Sequence, residues 1–174
     1  MTNTFDNYLS IAKSATFGLV EAASVWYSEA QEVAEDVAEN LAVDLERGAS
    51  VVASFSPRER WSSNVSKALA FSMGKPILGL SNNLRMANNS VEIGFAALNG
   101  QKTNSFARAI AGDSTAVVID TWMIKAAAMD SSKGVNKTQY NKLSNDVTRV
   151  ANEIGVSPRT AQALIWIIIR GGNK

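Results

Sequence analysis

The chain has 174 residues, 46% of them hydrophobic and 19% charged, with no cysteine and no histidine. This composition fits one soluble globular domain, or one domain with an extension, large enough to bury a core without covalent or metal staples. It excludes disulfides, thiolate zinc sites, cysteine-ligated iron–sulfur clusters, Ser-His-Asp catalysis and histidine-held metals, and it leaves acid–base work to Asp, Glu, Lys or Tyr.

The net charge of +1 conceals an asymmetry. Residues 1–50 hold nine acids and two bases, whereas residues 51–174 hold fifteen bases and seven acids. Two arrangements produce such a split: a basic body that meets an anion, most commonly nucleic acid, or an acidic helix packed on a basic surface. The opening Met1-Thr-Asn-Thr-Phe-Asp-Asn7 has neither the basic stretch nor the apolar core of a signal peptide. The longest apolar run, Ala163 to Ile169, has seven residues and cannot span a bilayer. The expectation is a cytoplasmic protein with no membrane contact.

Residues 15–46 read as one long or two shorter amphipathic helices. Val33, Val37, Leu41 and Leu45 recur every fourth residue, with Glu32, Glu35, Asp36 and Glu39 between them. Arg47-Gly48-Ala-Ser50 reads as the stop. Residues 1–50 thus form an acidic helical extension, and residues 51–174 form the main domain. Ser56-Pro57-Arg58-Glu59 has the chemistry of a helix start, with Ser56 as cap and Glu59 closing a capping box, for a helix through Trp61, Val65 and Leu69 to Met73. Gly74-Lys-Pro76 ends that helix. A helix from Ser81 through Leu84, Met86 and Ala87 follows, then a short one over Glu92 to Leu98. Asn99-Gly100 is a turn, and Lys102 to Ile110 is helical. Ala116-Val-Val-Ile119 is either a short strand or the buried approach to a helix that Asp120 caps and that runs from Thr121 to Met129. Ser131 to Gly134 is a loop. Tyr140, Leu143, Val147 and Val150 mark a helix over 137–153. Ser157-Pro158 starts a buried helix through Trp166 to Ile169, ended by Arg170-Gly-Gly172. The fold class is all-α, with no repeat and no heptad run.

Two short stretches carry the chemistry. Leu98-Asn-Gly-Gln-Lys-Thr103 presents a lysine at the start of a helix behind a glycine turn. Asp120 follows the apolar Val117-Val-Ile119, eighteen positions after Lys102. Helix N-termini behind glycine turns offer N–H groups to phosphate. Lysine at such a place can contact phosphate or, where its environment activates it, act as a nucleophile.

Gly100-Gln-Lys-Thr103, the spacing to Ile119-Asp-Thr-Trp122, Leu78-Gly-Leu-Ser-Asn82 and the closing Leu164-Ile-Trp-Ile-Ile-Ile-Arg-Gly171 together resemble the helix-hairpin-helix DNA glycosylases, over roughly residues 50–172. The general look is also similar to small phage proteins, which implies the host cell cytoplasm. Two departures are visible: the usual turn has two glycines where this one has Gly100 alone, and the family's Val-Asp-Thr-His reads Ile-Asp-Thr-Trp here, with Trp122 in place of histidine. The resemblance implies a compact multi-helix domain acting on a base flipped from duplex DNA, without iron–sulfur cluster, metal or other cofactor. It implies Lys102 as an abasic-site lyase nucleophile and Asp120 as the carboxylate that supports the sugar cation. Gly100, Gln101, Thr103, Arg58, Arg60, Arg85 and Arg108, with Lys75, would contact the DNA backbone. Ser54, Ser56, Trp61 and Trp122 would line the base pocket, with core packing as the alternative for each tryptophan. Two other functions use the same residues: a transferase acting on a modified thymine in intact DNA, and a non-catalytic DNA-binding or host-binding protein that uses its acidic helices for partner contact or self-association.

Overall fold

The computed structural model describes residues 3–79 and 81–171. Their helices are α1 (Thr4–Lys13), α2 (Phe17–Leu41), α3 (Leu45–Ser54), α4 (Trp61–Ser72), α5 (Ser81–Ile93), α6 (Gln101–Ile110), α7 (Thr121–Ala126), α8 (Lys137–Ile154) and α9 (Pro158–Ile169), with 3-10 turns at Gly94–Ala97 and Ser131–Lys133. Among the described residues there is no strand, and no helix is long and apolar enough to cross a membrane. The fold is all-α.

The chain forms two units. The central unit is Ser28–Gly112, and the terminal unit joins the residues up to Tyr27 to those from Asp113 onward. The division expected at residue 50 differs from this, because residue 50 lies inside α3. The charge asymmetry does not follow the units either. Within the central unit, seven acids between Glu29 and Glu46, with Glu59 and Glu92, stand beside eight bases from Arg47 to Arg108.

Small side chains set the packing of the central unit. On α2, Ala30, Ala34, Val37 and Ala38 are buried, while Glu29, Glu32, Glu35, Asp36 and Glu39 are exposed. The alanine face lets α3 come close. A Cβ added at Gly48 would lie 2.3 Å from the Ala34 carbonyl oxygen and 2.8 Å from Ala38 Cβ. The stop expected at Arg47–Ser50 is therefore corrected: α3 runs through Gly48, and the glycine is there because α2 occupies the space of a side chain.

Every residue of α3 from Gly48 to Ser54 is buried, as befits a helix surrounded by others, and it contacts α4, α5, α6 and Gly94–Ala97. Its serines satisfy themselves: Ser50 Oγ donates to the Glu46 carbonyl at 2.7 Å, and Ser54 Oγ donates to the Ser50 carbonyl at 2.8 Å while lying 3.1 Å from Ser90 Oγ. The Glu46 carboxylate accepts the Phe95 N–H at 3.2 Å, and Gly94, at φ 57°, leaves that oxygen room. Ala53, Leu98 and Ala107 form a core cluster, with Met86, Phe95 and Phe106 packed against it.

The Ser-Pro start at residue 56 is also corrected. Arg58 takes a left-handed φ of 63°, which interrupts the backbone, so α4 begins only at Trp61 with Arg60 at the cap. Ser56 Oγ is buried without a hydrogen-bond partner, and Glu59 accepts from Ser63 Oγ and pairs with Lys67. The separate helix expected over 92–98 is the end of α5 followed by a 3-10 turn.

In the terminal unit, α1 packs on α7, α8 and α9. Tyr8 Oη donates to the Met123 carbonyl at 2.9 Å, and Asn7 Nδ2 donates to the Ala127 carbonyl at 3.1 Å. Ala116–Ile119 is extended and buried without being a strand. One phenol serves two of its backbone groups: Tyr140 Oη donates to the Val117 carbonyl at 3.0 Å and accepts the Ile119 N–H at 3.2 Å. Of the two alternatives for this stretch, the buried approach to a capped helix is the one observed. α8 opens with a capping box between Asn136 and Gln139, and α9 opens with Ser157 as cap and Pro158 in its first turn.

Candidate functional site

α7 is six residues long, and one side chain organises its start. Asp120 Oδ1 accepts the N–H groups of Trp122 at 2.9 Å and Met123 at 3.0 Å. Asp120 Oδ2 accepts the indole N–H of Trp166, on α9, at 2.9 Å. A carboxylate offers about four lone-pair sites, so three donors leave one open on Oδ2. Asp120 is half-buried.

Aromatic and cationic side chains surround this carboxylate. The Arg170 guanidinium lies over the Trp166 ring at 4.2 Å and 5.9 Å from the Trp122 ring. The Lys125 ammonium lies 4.5 Å from the Trp122 ring centroid. Trp26 meets Trp166 edge-on, with centroids 5.7 Å apart. Trp122 is 36% exposed. Among the described residues neither Lys125 nor Arg170 has a carboxylate within ion-pair distance. The two tyrosines nearby have structural duties. Burial pushes the Tyr27 phenol far above its ordinary pKa, the charge of Asp120 adds to that, and its Oη donates to Gln162 Oε1 at 2.6 Å. Tyr8 is raised in the same way, first by burial. Both phenols are protonated at neutral pH.

Lys102 belongs to the central unit, and Asp120 to the terminal one. Lys102 is exposed in the first turn of α6, behind Gly100 at the N-cap, and Gln101 is exposed beside it. Gly100 has an ordinary φ of −87°, and an added Cβ would meet only Thr103 Oγ1 at 3.8 Å. Backbone conformation therefore does not demand glycine here; what glycine leaves is uncovered backbone at the helix N-terminus.

A family described as "Family of unknown function (DUF7178)" matches residues 1–173 of the chain. The chain belongs to this family. Searches of curated proteins and of solved structures returned no match.

The remaining residues singled out in this DUF7178 chain divide by burial. Arg58, Arg60, Arg85 and Arg108 are all exposed on the central unit; Arg85 donates to Asn82 Oδ1 at 2.8 Å, and Arg108 donates to Asn104 Oδ1 at 2.8 Å while lying over the Phe95 ring. Ser54 is fully buried, and its hydroxyl donates to the Ser50 carbonyl and lies 3.1 Å from Ser90 Oγ. Trp61 is half-buried and packs edge-on against Phe106. A shallow cleft in the central unit is lined by Phe55, Lys67, Ile77, Gly79, Ser81, Asn83 and Leu84, and neither Ser56 nor Trp61 is among them. Trp122 is the exposed aromatic of the expected pocket set. Among the described residues no group of three or more carboxylates could hold a metal ion.

Sequence reasoning missed Lys125, Arg170 and Trp26, and it treated Trp166 as core. The signal was present in the spacing. Lys125 follows Trp122 by three residues and Arg170 follows Trp166 by four, the intervals that put side chains together on a helix.

Proposed function

We propose that this protein acts on bases in DNA as a glycosylase, with Asp120 as the carboxylate at the sugar. The observation that carries this reading is the fixed carboxylate with one open lone-pair site, beside an exposed tryptophan and two cations that have no acidic partner among the described residues. Rigid placement is what electrostatic catalysis needs, because a preorganised charge requires no reorganisation when the sugar becomes cationic. In the reaction the C1′–N bond breaks and its electron pair leaves with the base. Water adds at C1′, its proton goes to the open site of Asp120, and the departing base nitrogen is protonated from solvent. Lys102, exposed behind Gly100, fits a contact to the DNA backbone in the central unit. The lyase reading gives the same amine a Schiff base with an abasic sugar.

One observation favours a binding-only reading. All three donors to Asp120 are explained by helix capping and by an indole that needs an acceptor, so the residue has a complete structural role without chemistry. The experiment that decides is mass analysis of DNA incubated with the protein, using duplexes with deaminated, oxidised or alkylated bases and DNA with modified thymines. Release of free base supports the glycosylase. A mass change on intact DNA assigns the transferase instead. Neither, with DNA still bound, leaves the binding protein.

A further inference from the structure

We infer that Lys125 and Arg170, held against Trp122 and Trp166, form a binding site for a backbone phosphate of a nucleic-acid strand. The inference rests on the DNA reading above and names the part of the substrate that this side of Asp120 takes. The argument begins with charge. The ion pairs at Arg47–Asp44, at Lys67–Glu59, and of Lys142 and Arg149 with Asp146 involve neither Lys125 nor Arg170. Lys125 and Arg170 rest on indole rings. An aromatic face orients a cation without neutralising it, so both charges remain available to an anion.

Geometry narrows the anion. A guanidinium has five N–H donors, and one held over a ring, as Arg170 is over Trp166, has donors left for the fork that matches a phosphate oxyanion. Lys125, itself exposed, adds a compact ammonium over the Trp122 ring, which Arg170 also approaches. Position narrows it further. Trp122 lies two residues after Asp120, and Trp166 donates to Asp120, so both rings that carry the cations are tied to the carboxylate assigned to the sugar. A phosphate next to a sugar is a strand phosphate.

The test is fluorescence anisotropy of a labelled single-stranded oligonucleotide across a salt series. Wild type is compared with Lys125→Gln, Arg170→Gln, the double variant and Arg170→Lys. Each lost contact lowers the slope of log affinity against log salt by about 0.7, so the double variant loses about 1.4. Arg170→Lys keeps its charge and therefore its slope. Arg170 caps the end of α9, so circular dichroism checks each fold; Lys125 is exposed, and its variant stands on its own if Arg170→Gln does not fold. Three results overturn the inference: a double variant with the wild-type slope, a wild type that binds no strand, or inorganic phosphate displacing the strand as effectively as a competing oligonucleotide does. The glycosylase reading fails separately. Absence of base release with the slope change intact removes the chemistry and keeps the phosphate site. Base release with no slope change does the reverse.

Discussion

Replacing Asp120 with alanine removes two interactions at once, and their sizes follow from the structure. The N-cap bonds to Trp122 and Met123 go, which costs about 1 kcal/mol. The Trp166 indole N–H then lacks its acceptor, which costs about 1–3 kcal/mol for a buried group and falls toward the lower end here because the site is half-buried. The expected loss for Asp120→Ala is about 2–3 kcal/mol. Asp120→Asn keeps an oxygen for the cap, and asparagine caps about as well as aspartate, so its loss is about 1 kcal/mol, from the bond to the indole. Urea unfolding measures both, with a constant m value as the check that only stability has changed. A double-mutant cycle with Trp166→Phe isolates the carboxylate–indole pair, and a coupling of about 1 kcal/mol is expected. An Asp120→Ala variant within about 0.5 kcal/mol of wild type would refute the reasoning, because that is the range of surface substitutions that touch nothing. So would a coupling of zero.

Three further outcomes are expected. Gly48→Ala gains about 1 kcal/mol of helix propensity, but it sets a methyl 2.3 Å from the Ala34 carbonyl, and overpacking of this kind costs about 1–3 kcal/mol, so chemical denaturation will show net destabilisation; a more stable variant contradicts the close packing of α2 and α3. Burial pushes the Asp146 carboxyl up, but the Lys142 ammonium, the Thr4 hydroxyl and the Arg149 guanidinium outweigh burial and hold it below the usual carboxylate range. Its contribution is therefore fully present above the unfolded value of about 3.9 and is lost as pH falls through the lower folded value. Asp146→Asn should be about 1–3 kcal/mol less stable than wild type at neutral pH, and the difference should close in acid; a difference that stays constant across that window argues against the ionic role. Lys102→Ala removes an exposed side chain and should leave stability unchanged within about 0.5 kcal/mol. It should abolish borohydride trapping on abasic DNA if wild type traps; an adduct that persists assigns the nucleophile to another residue.

The sequence announced its helices most clearly where a cap and a period agreed. Ser157-Pro158 before the apolar run to Ile169 and Asp120 before Thr121 both mark observed starts, and the Tyr140–Val150 pattern marks α8. It misled where a local signal was overruled by packing. Gly48 has the look of a stop, but its lack of a side chain serves contact with α2, at Ala34 and Ala38 on the preceding helix, which a local stop signal does not announce. Ser56-Pro57 has the look of a start, but the left-handed turn at Arg58 displaces α4 to Trp61. α1 escaped notice because its short pattern, Tyr8 and Ala12, gains meaning from α7, α8 and α9, more than a hundred residues away. The acids of residues 1–50 have more than one role. Asp44 caps α3 and Glu46 holds Phe95, while the acids on the outer face of α2 are exposed, with Glu35 accepting from Gln31 Nε2 at 2.9 Å. At the candidate site, Asp120 and Trp122 were visible as a motif, whereas the partnership with Trp166 and Arg170 joins positions about fifty residues apart and needed the fold.

The most direct test of the central claim compares base release by wild type and Asp120→Asn on a DNA that both bind equally. If Asp120 stabilises the sugar cation, the variant should release base more slowly by about 10²-fold or more with unchanged affinity, the size expected when a preorganised electrostatic group is removed from a transition state. Equal rates for the two proteins, or a wild type that binds DNA and changes no base, would contradict the assignment.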